Sequence, residues 1–583
     1  MRENWGRNWG NKMIRIKIII WLVILMFLFL LLGLFNLEVI HGRKYREIGD
    51  RNCIRLLGQR GSRGKILDRE GRVIADSRLS YDLMIVPQDS IQRDKIILRA
   101  SRVLGKSVGD LKSAFKRGYV SSSMPVIVAR NLELRQAIAL DELRVDFSAI
   151  IVQPNPIRHY PNPKLTSHVL GYLGEIDHWR LTKLEDYGYK TKDVVGFGGV
   201  EEKYDYYLRE EEGGMSFQVD HRGRFIRTLG FKPPSNGRDI QLTLDIKAQK
   251  IAEEAIGDRK GCVIIMDPYS AEIIALVSSP GFSEDDFLSQ DNAAISRLLK
   301  DPNSPLINRA ISSAYPIGSL FKVVVATAGL ETKKINSNTS FLCQGSIMVG
   351  GQEFKCWNTH GPQNLIAAIT HSCNVFFYKT GLLVGAQAIH DYALKLGLSR
   401  PTSFELPYEA SGFIPSPLWR KINKFKNWFD GDTVNLSIGQ GDVLITPLQV
   451  TRMMAIFANG GYLVTPCITK SIDGRDMLRY HKKPEKLNLK PNTINYIREG
   501  LKGVVNEPDG TGTILSGLGI TVAGKTGTAQ ASPGQPHAWF SGFFPFKNPK
   551  FVICVFLEHG GPGYYSCVLA KQIIERMIRE GLI

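Results

Sequence analysis

The 583-residue chain has a single long apolar run, Ile18 to Phe35, and the lack of a second argues against a receptor built on several membrane helices. No small-x-small cleavage site follows Phe35, so the run reads as an uncleaved signal anchor and not as the shorter core of a removable signal peptide. No nucleic-acid motif accompanies the net charge of +18. The basic residues are spread along the chain, which suits a surface beside an anionic membrane or wall polymer. Cysteine is scarce at 8, and Cys53, Cys262, Cys467, Cys554 and Cys567 show no ligand spacing, so these are expected as small core residues. The apolar content is ordinary for a globular protein, and the length predicts two or more cores.

Charge does not orient the anchor. Arg2, Arg7, Lys12, Arg15 and Lys17 before it are matched by Arg43, Lys44, Arg46, Arg51 and Arg55 after it. A short tail ahead and large domains behind favour the N-terminus inside and the rest outside, because long domains translocate largely regardless of charge. The expected division is a tail at 1–17, an anchor at 18–36, a non-catalytic segment at 41–235 and a chemistry-bearing domain at 238–583. Phe231-Lys232-Pro233-Pro234-Ser235-Asn236-Gly237 marks the boundary.

Within 41–235, Arg60 to Ala75 reads as a hairpin with a Glu-Gly corner, and Asp94 to Arg144 reads as helical and charged. Glycine-punctuated stretches follow at 168–174 and 196–205. None pairs a nucleophile with a base, so the segment is read as a spacer or docking module. Beyond the boundary come a strand at 239–244, a helix at 247–256 and two strands within 261–278. Strands at 521–529, 539–544 and 551–558 and a closing helix at 566–579 end the chain. Strands, then helices, then strands predict an α+β domain with helices packed on an antiparallel sheet.

The chemistry is expected at Tyr315-Pro316-Ile317-Gly318-Ser319-Leu320-Phe321-Lys322, which opens a buried helix. An i to i+3 spacing puts Ser319 and Lys322 on one face, where the amine is a candidate base for the hydroxyl if burial or a second cation keeps it neutral. S-x-x-K alone is weak, with roughly a few copies expected by chance. One copy is Ser113-Ala114-Phe115-Lys116, flanked by Lys112 and Arg117 on what reads as an exposed helix. Ser319 is distinguished by Ser372-Cys373-Asn374 and Lys525-Thr526-Gly527-Thr528 downstream, in the order of a serine acyl-transferase signature. Lys379-Thr380-Gly381 also spells K-T-G, but it follows Ser372 without a turn signal and is expected to end that helix.

These motifs, with Arg63-Gly64, Asp68-Arg69 and Gly198-Gly199-Val200-Glu201, resemble the class B penicillin-binding proteins from about residue 55 to the C-terminus. Leu342-Cys343 through Cys356-Trp357 and His360-Gly361 are most similar to the rod-elongation transpeptidases of that family. The resemblance implies a penicillin-binding transpeptidase domain on a non-catalytic pedestal, and a D,D-transpeptidase acting on peptidoglycan stem peptides ending in D-Ala-D-Ala. It implies Ser319 as nucleophile, Lys322 as base, Ser372 as proton relay and Asn374 as a holder of Lys322 and the substrate amide. Lys525, Thr526, Gly527 and Thr528 would bind the terminal carboxylate, with the N–H groups of Ser319 and Thr528 as oxyanion hole. It further implies covalent inhibition by β-lactams, a location in the bacterial inner membrane with the catalytic part periplasmic, and a D,D-carboxypeptidase side activity. The implied partners are a membrane-embedded glycan polymerase of the SEDS type and rod-system scaffold proteins. The alternatives are a septal class B transpeptidase, a β-lactam sensor and a β-lactamase, which acyl-enzyme lifetime and depletion phenotype separate.

Cys343, Cys356, His360 and Cys373 are spaced C-x12-C-x3-H-x12-C, and three thiolates with an imidazole make a closed tetrahedral zinc site. A Cys343–Cys356 disulfide or plain buried thiols are the competing readings. The resemblance favours zinc, because some rod-type relatives carry it at matching positions, in a structural role that ties the loop to the Ser372 helix.

Overall fold

The computed structural model describes residues 3–87, 90–119, 125–147, 149–219, 225–289, 291–531 and 533–583. The N-terminal helix Glu3–Phe35 continues into a π-helical turn, Asn36–Ile40. Its stretch Met13–Ile40 is long and apolar enough to cross a bilayer, and none of it is buried against the rest of the chain. This fits a single-pass membrane anchor.

The remainder forms two compact units, and the chain crosses between them more than once. One unit comprises the chain up to Ser62 with Arg78–Ile157 and Glu210–Asn236, and the other comprises Arg63–Ser77, Arg158–Arg209 and Gly237–Ile583. The expected boundary at 235 to 238 is therefore one crossing among several. Segments 63–77 and 158–209, read from sequence as part of the pedestal, pack with the domain that carries the motifs.

The reason is a set of long-range bonds around Arg63. Its Nε donates to Glu201 Oε2 at 2.8 Å and its Nη2 to Asp205 Oδ1 at 2.7 Å, while Arg158 Nε donates to Glu201 Oε1 at 2.7 Å. All four side chains are buried, so deleting one partner would leave a charge uncompensated at a cost of about 3–5 kcal/mol. Beside this cluster Gly64 touches the main chain, where a Cβ would lie 2.0 Å from Arg238 O. Only glycine allows that approach. Strand Ile66–Leu67 then pairs in parallel with Ile240–Leu242 and antiparallel with Val73–Arg78.

In the first unit, a sheet ordered Val126–Leu132, Tyr81–Ile85, Ile150–Pro154 is packed by helices Ser90–Leu104, Val108–Gly118 and Leu134–Glu142. The all-helical reading of 94–144 missed its strand. Val126-Ile127-Val128 is β-branched and finds a partner in Tyr81–Ile85, 41 or more residues upstream, which local patterning does not reveal.

The motif-bearing unit is built on a five-stranded antiparallel sheet in the order Ile273–Ser279, Gly261–Met266, Phe551–Leu557, His537–Phe544, Ala523–Ala529. Of the inner strands, Gly261–Met266 and His537–Phe544 are buried along their whole length, and Phe551–Leu557 from Val552 onward. Continuous apolar runs such as Val552-Ile553-Cys554-Val555-Phe556 are what a sheet covered on both faces requires. Helices Ile246–Ile256, Tyr564–Arg579 and Pro447–Ala458 pack against it. Ala523–Ala529 is an edge strand, so one side of its backbone is left for a ligand. Cys262, Cys467, Cys554 and Cys567 are buried and unpaired as expected, while the side chain of Cys53 lies outside the described residues.

Candidate active site

The segment before Ser319 is clamped by backbone bonds. Tyr315 and Ile445 exchange N–H to O=C bonds of 3.0 and 2.9 Å, and Gly318 N–H donates to Gly439 O at 3.1 Å. Gly318 has φ +56°, and a Cβ there would stand 2.7 Å from Thr528 O. Glycine is thus required both by conformation and by the strand beneath. Ser319 does not begin the α-helix, as its sequence predicts, but lies in a 3-10 turn, Gly318–Phe321, and the α-helix starts at Lys322 and runs to Glu331. Residues three apart eclipse in a 3-10 turn, so the half-buried serine and the lysine still share a side.

Lys322 is fully enclosed. Its Nζ donates to Ser372 O and Asn374 Oδ1, both at 2.6 Å, and lies 3.1 Å from Ser372 Oγ. Among the described residues it makes no hydrogen bond to Ser319 Oγ. Burial pulls the amine down from 10.5 to about 7, against the opposing pull of Cys356 and Cys373. Lys525 is equally buried and is held well below the lysine range by burial and then by the charge of Lys322. The two amines sense each other, which joins the first and third motifs.

Ser372 is not in a helix. It sits between Leu365–Thr370 and Asn374–Val384 with φ +54°, a left-handed conformation that a side chain adopts only under constraint. The constraint is its carbonyl, which accepts from Lys322 Nζ and, at 3.3 Å, from Trp357 Nε1. Lys379-Thr380-Gly381 lies inside helix Asn374–Val384 rather than at its end. There Thr380 Oγ1 bonds Phe376 O at 2.9 Å, and Gly381 makes room for Ser437 Oγ. That copy is packing.

In the edge strand, Lys525 Nζ donates to Thr526 O at 3.3 Å, and Gly527 is pressed between Ile317 O and Trp539. The Thr526 hydroxyl meets Thr511 Oγ1 at 2.7 Å, and the exposed Thr528 Oγ1 accepts from Gly563 N–H at 2.9 Å. Thr511 and Gly439 carry no sequence signal, because each acts through a contact whose partner lies 15 or more residues away.

Cys343, Cys356, His360 and Cys373 converge, with one donor atom from each within 4.8 Å of the others. His360 Nδ1 is 3.6 Å from both Cys343 Sγ and Cys356 Sγ, close to the edges of about 3.5–3.8 Å that bonds of about 2.0–2.3 Å would give in a tetrahedron. Cys356 is drawn down to about 4 by its hydrogen bond with Cys373, and Asn374 N–H donates to its sulfur at 3.2 Å. His360 Nε2 is buried without a partner. Cys343 and Cys356 are not joined to each other. The donor set and its spacing fit zinc.

The penicillin-binding protein transpeptidase domain model matches residues 261–579, and the penicillin-binding protein dimerisation domain model matches 59–242. The peptidoglycan D,D-transpeptidase MrdA of Escherichia coli strain K12 is 30% identical over 587 residues, spanning 94% of this chain and 91% of that one. The solved complex between penicillin-binding protein PBP2 and MreC from Helicobacter pylori aligns with a TM-score of 0.81 at 28% identity, covering 91% of this chain and 99% of that one. A peptidoglycan synthase complex that coordinates polymerization and crosslinking aligns at 0.72 and 28% identity, over 98% and 99% of the two chains. With an enclosed amine bonding its first motif to its second and matches along nearly its whole length, this chain belongs to the penicillin-binding transpeptidase family.

Proposed function

We propose that this chain is a peptidoglycan D,D-transpeptidase of cell-wall elongation, a serine-type enzyme held in the bacterial inner membrane by its N-terminal helix with the catalytic part in the periplasm. The observation that carries the reading is the buried Lys322 amine, bonded to both Ser372 and Asn374 and mounted on the turn that presents Ser319. When neutral, the amine has two N–H bonds, which go to the acceptor-only oxygens Ser372 O and Asn374 Oδ1. Its lone pair is then left for a hydroxyl proton.

Ser319 Oγ attacks the penultimate D-Ala carbonyl as Lys322 takes its proton. Ser372 Oγ, 3.1 Å from the amine, passes that proton to the departing D-Ala nitrogen. The amine of a neighbouring stem then attacks the acyl-enzyme, forms the cross-link and returns Ser319. Water in its place gives a D,D-carboxypeptidase side reaction. The N–H groups of Ser319 and Thr528 hold the oxyanion, and Lys525 with Thr526, Gly527 and Thr528 holds the terminal carboxylate. Thr528 Oγ1 accepts from Gly563, so its own hydrogen is free to donate. β-Lactams acylate the same serine. Ser319→Ala is expected to abolish covalent labelling by a fluorescent penicillin, and retained labelling would refute the nucleophile.

Cys343, Cys356, His360 Nδ1 and Cys373 would hold a zinc ion. Bound there, the ion would serve a structural role, and the four side chains would fix the Cys373 end of helix Asn374–Val384 and through it the Ser372 turn. Metal analysis of the purified protein tests this. By analogy with the PBP2–MreC and synthase complexes, the partners are a SEDS-type glycan polymerase and rod-system scaffold proteins. Depletion is expected to round the cells, and filaments would indicate septation instead.

A further inference from the structure

A pocket of about 470 Å³ opens beside the second and third motifs and holds none of the groups assigned to the reaction. Its volume is within the range of about 300–1,000 Å³ that small-ligand sites occupy. The walls are helix Leu365–Thr370 with His371, the Glu499 and Lys502 face of helix Pro491–Asn506, and the turn that carries Glu507 and Asp509. On one side His371 adjoins Ser372 in the chain. On the other, Asp509 is followed two residues later by Thr511, whose hydroxyl meets that of Thr526 at 2.7 Å. The turn is fixed to the helix before it. Glu507 N–H donates to Gly503 O at 3.0 Å and Gly512 N–H to Val504 O at 2.9 Å, and a Cβ on Gly510 would lie 2.3 Å from the same Val504 oxygen. Glu499 pairs with Lys502 at 3.4 Å, whereas Glu507 and Asp509 form no ion pair among the described residues. The pocket therefore carries unbalanced negative charge.

On the transpeptidase reading, on which this inference rests, an amine must resolve the acyl-enzyme. Reversibility places that amine where the D-Ala nitrogen stood, beside Ser372 Oγ, and extends its substituents toward Thr526 and Thr528, where the D-Ala carboxylate lay. Beyond Thr526 come Thr511 and then the pocket. An aliphatic amine has a pKa of about 10 and arrives as an ammonium ion. Lys322 and Lys525 give that ion no partner, whereas Glu507 and Asp509 do. We propose that the pocket is the acceptor subsite, in which Glu507 and Asp509 capture the ammonium group of the incoming stem peptide before it moves in to Ser372. The amine gives one proton to water as it leaves the carboxylates. As its nitrogen bonds the acyl carbon and the bond from that carbon to Ser319 Oγ breaks, a second proton passes through Ser372 and Lys322 to Ser319 Oγ. The same charge favours a cationic acceptor over water, so the two carboxylates set the ratio of cross-linking to hydrolysis.

The test uses the full-length protein in detergent, a stem-peptide donor ending in D-Ala-D-Ala and, as acceptor, a short peptide with one free side-chain amine. Glu507→Gln combined with Asp509→Asn is expected to raise the acceptor KM about three- to tenfold, as the loss of two solvent-exposed ion pairs would, and to shift product toward hydrolysis. The rate of penicillin acylation should stay unchanged, because a β-lactam needs no acceptor. Asp509→Lys should raise the acceptor KM further, and Glu507→Asp, which keeps the charge, should leave it near the parent value. High salt should erase the difference between the parent and the double variant. An unchanged acceptor KM in the double variant, with normal penicillin acylation, overturns the subsite and leaves the transpeptidase reading standing. An equal loss in both rates also overturns it, since the carboxylates would then support the shared machinery and not the acceptor. Failure of penicillin to label the parent protein would instead count against the transpeptidase reading itself, and the subsite would fall with it.

Discussion

Ser113 and Lys116 point into solvent from helix Val108–Gly118, whereas Ser319 and Lys322 stand where a 3-10 turn meets a buried helix, with Lys322 wholly enclosed. The spacing is identical. What differs is the surroundings of the amine. Water keeps an exposed lysine charged and useless as a base, while burial and a second enclosed amine make the charge on Lys322 costly. The two K-T-G copies divide the same way, one packed inside a helix and one along an open sheet edge. A motif of four letters acquires chemistry only from its neighbours.

The strongest way to break this comparison is to restore a permanent charge at the buried position. Lys322→Arg cannot accept a proton and is expected to slow acylation by about 10³–10⁴-fold, the upper range for a positioned base. Stopped-flow labelling with a fluorescent penicillin measures it. Near-normal acylation would show that the base lies elsewhere.

The pH profile tests the same point without a mutation. The competent form is the neutral amine, so the acylation rate should climb as pH rises through about 7 and then level off. A rise that begins only near 10 would mean that Lys322 is not desolvated in solution. Stability carries the matching sign. Between about 7 and the ordinary lysine range the unfolded chain binds a proton that the folded chain does not, so this residue makes unfolding harder as pH rises across that window. Below it, the cost of burying the charge is fully present.

Ser372→Gly separates architecture from chemistry by giving them opposite signs. The serine is held at φ +54°, and glycine accepts that conformation without strain, so a gain of about 0.5–1 kcal/mol is expected in chemical denaturation. The hydroxyl beside Lys322 is lost at the same time, and acylation should fall. A variant that is both less stable and less active would show that the hydroxyl, and not the backbone, fixes the turn.

The sequence made some of this visible and hid the rest for identifiable reasons. The anchor, the central strands and the order of the three motifs were legible because each is written in a contiguous run. The left-handed Ser372 and the Thr511 to Thr526 contact depend on where separate segments meet, and the expected meeting of Cys343 with His360 takes its register from the same source. Cys343 reaches His360 because strand Ser340–Cys343 pairs with Gly361–Asn364, and no local pattern states that register. That segments 63–77 and 158–209 make their contacts within the motif-bearing unit is hidden for the same reason. Arg63 lies more than a hundred residues from Glu201 and Asp205 in the chain, and only the fold buries them together.

The smallest expected effect comes from the exposed copy. Lys116 lies in the last turn of its helix, where a positive side chain favours the C-terminal end of the helix dipole. Lys116→Ala should therefore cost stability slightly, under about 0.5 kcal/mol, and leave penicillin acylation and its pH profile unchanged. A measurable loss of acylation would mean that the exposed S-x-x-K contributes to the reaction. The distinction by burial would then be the wrong criterion for choosing between the two copies.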